Sequence, residues 1–156
     1  MIVKEGDQVP DFILPDQDNN QFSFSSLRGK KVIIYFYPRD NTPGCTQEAC
    51  DFQKLLSQLA KSNCVIVGIS KDTPESHVKF KSRQKLEFTL LSDSSGIACK
   101  IFGVWVKKSM YGKSFMGIER STFLIDEGGK ISKIWRKVKV KDMQKKYSML
   151  VKKNKK

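Results

Sequence analysis

Pro38-Arg39-Asp40-Asn41-Thr42-Pro43-Gly44-Cys45-Thr46-Gln47-Glu48-Ala49-Cys50 joins two segments of opposite character. Before it, Val32-Ile-Ile-Tyr-Phe-Tyr37 runs without polar alternation, as a strand buried on both faces does. After it, Cys45, Ala49, Phe52, Leu56 and Leu59 recur at helical spacing, and Cys50, Gln53, Lys54 and Ser57 fall on the other face. The stretch reads as the junction between a strand end and a helix start. Thr42 suits the N-cap, and Pro43 suits the first helical position, where its missing N–H costs nothing. Cys45 then stands third in the helix, among unpaired backbone N–H groups at the positive end of the helix dipole. That setting stabilises a thiolate, the nucleophilic form of cysteine. The plainer alternatives are a small core residue for Cys45 and a surface thiol for Cys50.

The two cysteines cannot bridge within an intact helix. A rise of ~1.5 Å and a turn of ~100° per residue separate Cα atoms five apart by about 8.6 Å. A disulfide needs them within about 7 Å. They come within reach once the first turns unwind. A reactive thiol with a second accessible thiol nearby suits a redox cycle, because a sulfenic acid condenses with a thiol.

Cys64-Val-Ile-Val-Gly-Ile69 is a second apolar run, so residues 32–69 form a βαβ unit with a right-handed crossover. Upstream, residues 11–24 read as a short hairpin with Phe12, Leu14, Phe22 and Phe24 as its apolar positions. Its turn, Asp16-x-Asp18-x-Asn20, imitates a calcium loop, but Gln21 and Leu27 stand where Gly and a bidentate Glu are required. Downstream come a helix from Pro74 to about Gln84, a short strand at 88–91 and a helix at 97–102. Residues 103–118, with Gly103, Gly112 and Gly117, are read as irregular. Residues 121–125 and 130–135 flank Asp126-Glu-Gly-Gly129, a hairpin signal. A last helix from about Lys141 carries Met143, Tyr147, Leu150 and Val151 on one face.

A chain of 156 residues suits one domain, 1–156, with one sizeable core. The start lacks an apolar signal-peptide core, and no apolar run approaches the ~18 residues of a membrane span. A cytoplasmic protein is expected, whose cysteines are free, catalytic or metal-binding rather than structurally bridged. Cysteine separations of 5, 35 and 14 do not form paired zinc knuckles. Cys64, Cys99, Trp105 and Trp135 are read as packing residues. His77, the only histidine, is read as a surface residue. Its solitude argues against histidine-based metal or triad chemistry.

The net charge of +13 is uneven. Residues 130–156 hold twelve Lys/Arg against Asp142 alone, and the rest is nearly neutral. Such a tail, about 141–156, admits electrostatic binding to nucleic acid or an anionic surface. Lysine outnumbers arginine 24 to 5, whereas arginine is preferred for nucleic-acid recognition. The expectation is therefore weak, non-specific attraction, with no membrane partner.

The segment Phe36-Tyr-Pro38-Arg-Asp-Asn-Thr42-Pro-Gly-Cys45-Thr-Gln-Glu-Ala-Cys50 resembles the active-site motif of peroxiredoxins. The second cysteine five residues on marks the Q type, the bacterioferritin comigratory protein group. The likeness runs from Gly6-Asp7 to about Val151 and includes Leu14-Pro-Asp-Gln-Asp18, Leu90-Leu-Ser-Asp93, Phe102-Gly-Val-Trp105, Gly112-Lys113 and Arg120-Ser-Thr-Phe-Leu-Ile-Asp126. The resemblance implies an α/β thioredoxin-like fold, a central mixed sheet flanked by helices with an N-terminal β-hairpin. It implies a thiol peroxidase acting on hydrogen peroxide and organic hydroperoxides, with no cofactor and no metal. Cys45 matches the peroxidatic cysteine and Cys50 the resolving one, paired as a Cys45–Cys50 disulfide that thioredoxin or a similar dithiol reduces. Thr42 and Arg120 match the positions that hold and polarise the peroxide, and Pro38 the residue that shields the thiolate. By itself Arg120 would be read as a solvated strand-edge residue. An internal resolving cysteine removes the need for a partner subunit, so a monomer is expected. A peroxide sensor relaying its disulfide and a basic nucleic-acid-binding protein on a redox fold are the alternatives. The basic tail is the chief departure from the family pattern.

Overall fold

The computed structural model describes residues 2–141, 143 and 146. Its centre is a five-stranded mixed sheet. The strands are β3 (Lys31–Phe36), β4 (Cys64–Ser70), β5 (Thr89–Ser92), β8 (Ser121–Ile125) and β9 (Ile131–Trp135), in the order β5-β4-β3-β8-β9. Strand β3 pairs parallel with β4 and antiparallel with β8. Helix α1 (Pro43–Lys61) makes the crossover between β3 and β4, as the apolar run, helical stripe and second run require.

The unbroken apolar run in β3 has a direct explanation. Val32, Ile34 and Phe36 face one core, covered by Phe12, Leu14 and the helix α3 (Ile97–Phe102). Ile33, Tyr35 and Tyr37 face the other, covered by α1 and by Phe80 of α2 (Pro74–Gln84). Gly68 lies opposite Tyr35 in the β3–β4 register, and a Cβ there would come within 2.9 Å of Tyr35 Cζ and 2.8 Å of Leu90 Cδ2. The glycine inside β4 is thus the notch that lets the Tyr35 ring lie across the sheet. The ring stacks on Phe52 of α1 with centroids 4.4 Å apart.

The N-terminal hairpin forms as read, with β1 (Ile13–Pro15) and β2 (Gln21–Ser23) antiparallel. Asp16 Oδ1 accepts from the backbone of Asp18 and Asn20, so the carboxylate closes the turn. Residues 103–118 are not irregular. They form an antiparallel hairpin of β6 (Trp105–Met110) and β7 (Lys113–Ile118), separate from the main sheet. Most of its residues are exposed on both faces, so no period-2 hydrophobic signal marks it. Val140, Lys141, Met143 and Lys146 are helical, and Met143 joins the α1-side core. Tyr147, Leu150, Val151 and the remainder of the basic tail lie outside the described residues. No helix among the described residues is long and apolar enough to cross a membrane.

Candidate active site

Register places the site. Phe36 pairs with Ser121 at the end of the antiparallel β3–β8 ladder, so Tyr37 and Arg120 follow side by side just beyond it. The chain leaving β3 turns at Asn41, whose φ of 64° is left-handed, and enters α1 at once. Arg120 therefore stands over the first turn of α1. Val138 N–H holds its backbone by donating to Arg120 O at 2.9 Å.

The Arg120 fork joins two side chains from the first two turns of α1. Nη2 donates to Cys45 Sγ at 3.3 Å, and Nη1 donates to Glu48 Oε1 at 2.6 Å. Gly44 clears the space, since a Cβ there would lie 3.3 Å from Nη2. Burial alone would depress the Arg120 pKa, but the charges of Glu48 and Cys45 outweigh it and raise the value. Cys45 is only 1% exposed. A permanent cation and the amide end of α1 thus converge on one buried sulfur, an arrangement that favours an anion there.

Thr42 is the N-cap, but only through its backbone, with Thr46 N–H donating to Thr42 O at 2.9 Å. Its hydroxyl donates to Arg39 O at 3.0 Å instead of capping the helix. Pro38, Arg39 and Thr42 line a cleft of about 460 Å³ whose far wall is Lys71, Trp105, Lys108, Phe115 and Met116. Trp105, read as a packing residue, is 37% exposed, and the Lys71 ammonium lies 4.1 Å from its ring centroid. A larger hollow bounded by Gln17, Thr73, Pro74 and Val78 holds no cysteine.

All four cysteines are unpaired, and α1 is continuous from Pro43 to Lys61. Cys50 is half-buried, with Sγ donating to Gln84 Oε1 at 3.7 Å. Cys64 and Cys99 are buried as expected. Burial pushes the Cys64 thiol up to about 11, and burial with a hydrogen bond to Asp93 raises that of Cys99 further. Both are poor nucleophiles at neutral pH.

Two parts of the surroundings escaped the sequence reading. His77 is not on the surface. It is fully buried, with Nδ1 2.7 Å from Asp40 Oδ2. The polar neighbours Glu75, Ser76 and Lys79 masked it, but His77 and Phe80 share the buried face of α2 while Val78 points outward. The other is Glu48. It falls between Cys45 and Phe52 on the buried stripe of α1, and a charge in an apolar stripe calls for a partner.

Glu48 carries a pH signature. Burial raises its pKa from 4.5 to about 7, against the pull of Arg120. Below pH 4.5 both folded and unfolded chains hold the proton. As pH climbs from 4.5 to about 7, the unfolded chain gives it up first, so this contribution to stability is lost across that window. The loss amounts to about 3 kcal/mol at most. Urea midpoints at pH 5 and pH 8 for wild type and Glu48→Gln measure it. Wild type should lose stability relative to Glu48→Gln, and an equal pH response in both would mean that Glu48 is ionised throughout.

The sequence pattern of the AhpC/TSA family matches residues 5–134. Peroxiredoxin Bcp of Bacillus subtilis is 46% identical over 142 residues, covering 91% of this chain and 90% of that protein. Peroxiredoxin Bcp of Escherichia coli K12 is 44% identical over 133 residues, 85% of each. Among solved structures, the bacterioferritin comigratory protein of Xanthomonas campestris superposes with a TM-score of 0.86 at 39% identity, covering 93% of this chain and 92% of that one. With a thioredoxin-like mixed sheet, an N-terminal hairpin and relatives alike over most of their length, the chain belongs to the AhpC/TSA family, as a thiol peroxidase of the Bcp/PrxQ peroxiredoxin group.

Proposed function

We propose that Cys45 is the peroxidatic cysteine and Cys50 the resolving one. The Cys45 thiolate attacks one peroxide oxygen, the O–O bond breaks, and the other oxygen leaves as water or an alcohol after taking a proton. Cys45 is left as a sulfenic acid. The Cys50 thiol condenses with it, releasing water and forming an intramolecular disulfide. A dithiol protein of the thioredoxin kind reduces the disulfide and closes the cycle. The observation that carries this reading is the Arg120 Nη2 hydrogen bond to Cys45 Sγ at 3.3 Å.

Arg120 also faces the oxygen that gains charge as the O–O bond breaks. The Thr42 hydroxyl and Pro38, on the near wall of the cleft, hold the peroxide and exclude water from the sulfur. The apolar part of the far wall admits an organic group, so both hydrogen peroxide and alkyl hydroperoxides are substrates. The Xanthomonas campestris relative is itself described as reducing alkyl peroxides. With both cysteines on one helix the cycle needs no second subunit, and the protein works as a cytoplasmic monomer.

Cys50→Ser tests the division of labour. This variant should consume one equivalent of peroxide per chain at close to the wild-type rate, then stall with Cys45 as sulfenic acid. Sulfenic-acid trapping and thioredoxin-coupled turnover read the two halves. Sustained thioredoxin-driven turnover would show that another thiol resolves.

A further inference from the structure

A buried polar cluster lies behind the site, at the root of the loop 38–42. Its centre is Asp40 on the loop against His77 on α2, with side chains 1% and 0% exposed. Asp40 Oδ1 accepts from the Tyr37 hydroxyl at 2.6 Å, and Oδ2 accepts from the Ser76 hydroxyl at 2.8 Å. The Asp40 backbone N–H donates to Asp72 Oδ2 at 2.8 Å, and Ser70 Oγ fixes that same oxygen at 2.7 Å. One loop residue is thereby tied to the chain just past β3, to the end of β4 and to α2.

Hydrogen-bond chemistry fixes the protons of this cluster. His77 Nε2 lies 3.0 Å from the Leu91 carbonyl, which can only accept, so Nε2 carries hydrogen. Nδ1 lies 2.7 Å from Asp40 Oδ2. A bare ring nitrogen and a bare carboxylate oxygen repel at that distance, so one proton sits between them, on either atom. Both placements give the pair one proton more than a neutral imidazole beside a carboxylate would have. Asp40, Asp72 and His77 do bring possible ligand atoms within 4.8 Å of one another. The 2.7 Å gap nevertheless suits a proton better than a metal ion, whose ligands at about 2.1 Å stand roughly 3 Å or more apart.

We propose that the Asp40–His77 pair is a proton-loaded anchor that positions the loop 38–42 beside Cys45, and that loss of the shared proton slackens the loop. The proposal rests on Cys45 being the attacking thiol. Asp40 stands midway between Pro38 and Thr42, and the left-handed turn at Asn41 leads straight from it into the N-cap. Both members are positioning residues, acting on peroxide through Pro38 and Thr42. The groups facing the pair are Tyr37 just past β3, Asp72 from the segment before α2, Ser76 from α2 and the Leu91 carbonyl from β5. Arg83 of α2 reaches the loop at Asn41 Oδ1, 3.3 Å away. Tyr35 of β3 feels the charge of Asp40 together with those of Glu48, Cys45 and Arg120.

The test uses the sign of a pH dependence. In Asp40→Asn the amide N–H donates to a neutral Nδ1 and the amide oxygen still accepts from Tyr37, with no extra proton required. Raising the pH strips the wild-type pair and leaves two acceptors facing each other. Lowering it in Asp40→Asn protonates Nδ1 against the amide N–H. The two proteins therefore lose rate at opposite ends of the pH range. The measurement is the second-order rate of Cys45 oxidation by hydrogen peroxide, taken between about pH 5.5 and 9, a span wide enough to compare both ends. Cys45, Glu48 and Arg120 are common to both proteins, so the ratio of Asp40→Asn to wild type is the quantity to read. It should rise on the order of tenfold from acid to alkaline pH, as a modest misplacement of the loop would produce. A flat or falling ratio overturns the proposal. A second measurement needs no variant, because His77 is the only histidine. Proton and nitrogen NMR of the wild type at neutral pH should show a protonated Nε2 and one low-field exchangeable proton shared with Asp40, and that proton should vanish as pH rises. Its absence at neutral pH overturns the proposal whether or not the variant folds. A wild type that shows the shared proton but fails to reduce peroxide would instead refute the reading of Cys45.

Discussion

Cys45→Ser should abolish peroxide consumption, with a loss of roughly 10³-fold or more in the second-order rate, the scale on which removal of a nucleophile falls. A serine hydroxyl at the same place meets the same Arg120 nitrogen and the same helix amides, but a hydroxyl is intrinsically a far weaker acid and nucleophile than a thiol. The fold should survive. Cys45 belongs to the α1-side core with Ala49 and Phe52, and serine is of similar size and can use Arg120 as a partner. Competition kinetics with a fast peroxide scavenger measure the rate, and near-UV circular dichroism checks the fold. If the serine variant consumed peroxide at the wild-type rate, no role for Cys45 as nucleophile could stand. Cys64 and Cys99 offer no substitute, since burial holds both thiols protonated at neutral pH.

Arg120→Met should be the next largest effect. Methionine keeps much of the length and loses the charge and both donors. Loss of a preorganised donor to developing charge costs roughly 10²–10³-fold. The same change strands Glu48, whose Oε1 loses its 2.6 Å partner and whose Oε2 has none among the described residues. A charge left unpaired in the core would cost several kcal/mol, so Glu48 should hold its proton to higher pH instead. Pairing Arg120→Met with Glu48→Gln separates the two consequences. The double variant should recover stability but not rate. Arg120→Lys should recover rate only in part, because one ammonium on a single stem does not reproduce a fork that meets two side chains from two nitrogens. A methionine variant within about twofold of wild type would remove Arg120 from the list of activating groups.

The sequence was most legible where backbone chemistry and hydrophobic period agree. The runs at 32–37 and 64–69, with the stripe between them, left little choice but a buried βαβ unit, and Thr42-Pro43 placed the helix start to the residue. Thr42 also shows the limit of such reasoning. A capping residue was legible, but not that its hydroxyl would serve Arg39 O and leave the cap to its backbone. Arg120 was illegible from local pattern alone, because its place depends on a strand register linking residues some eighty apart. Only the resemblance pointed to it. His77 and Asp40 were missed for a related reason. Each looks solvated among its sequence neighbours, and each is buried by a partner from another element. The hairpin of β6 and β7 was missed because it packs too little to impose a pattern.

Helix α1 runs unbroken through both Cys45 and Cys50. Any disulfide between them is therefore formed against the helix and carries the free energy of the turns that must open. That energy appears in the reduction potential. For a two-electron couple, each 1.4 kcal/mol of strain raises the potential by about 30 mV. A thiol pair held in a stable helix is thus a more oxidising couple than the same pair in a flexible loop, and it returns to the dithiol more readily when a reductant arrives. In the proposed cycle the length of helix that must melt would work as a spring, setting how easily the oxidised protein is recharged.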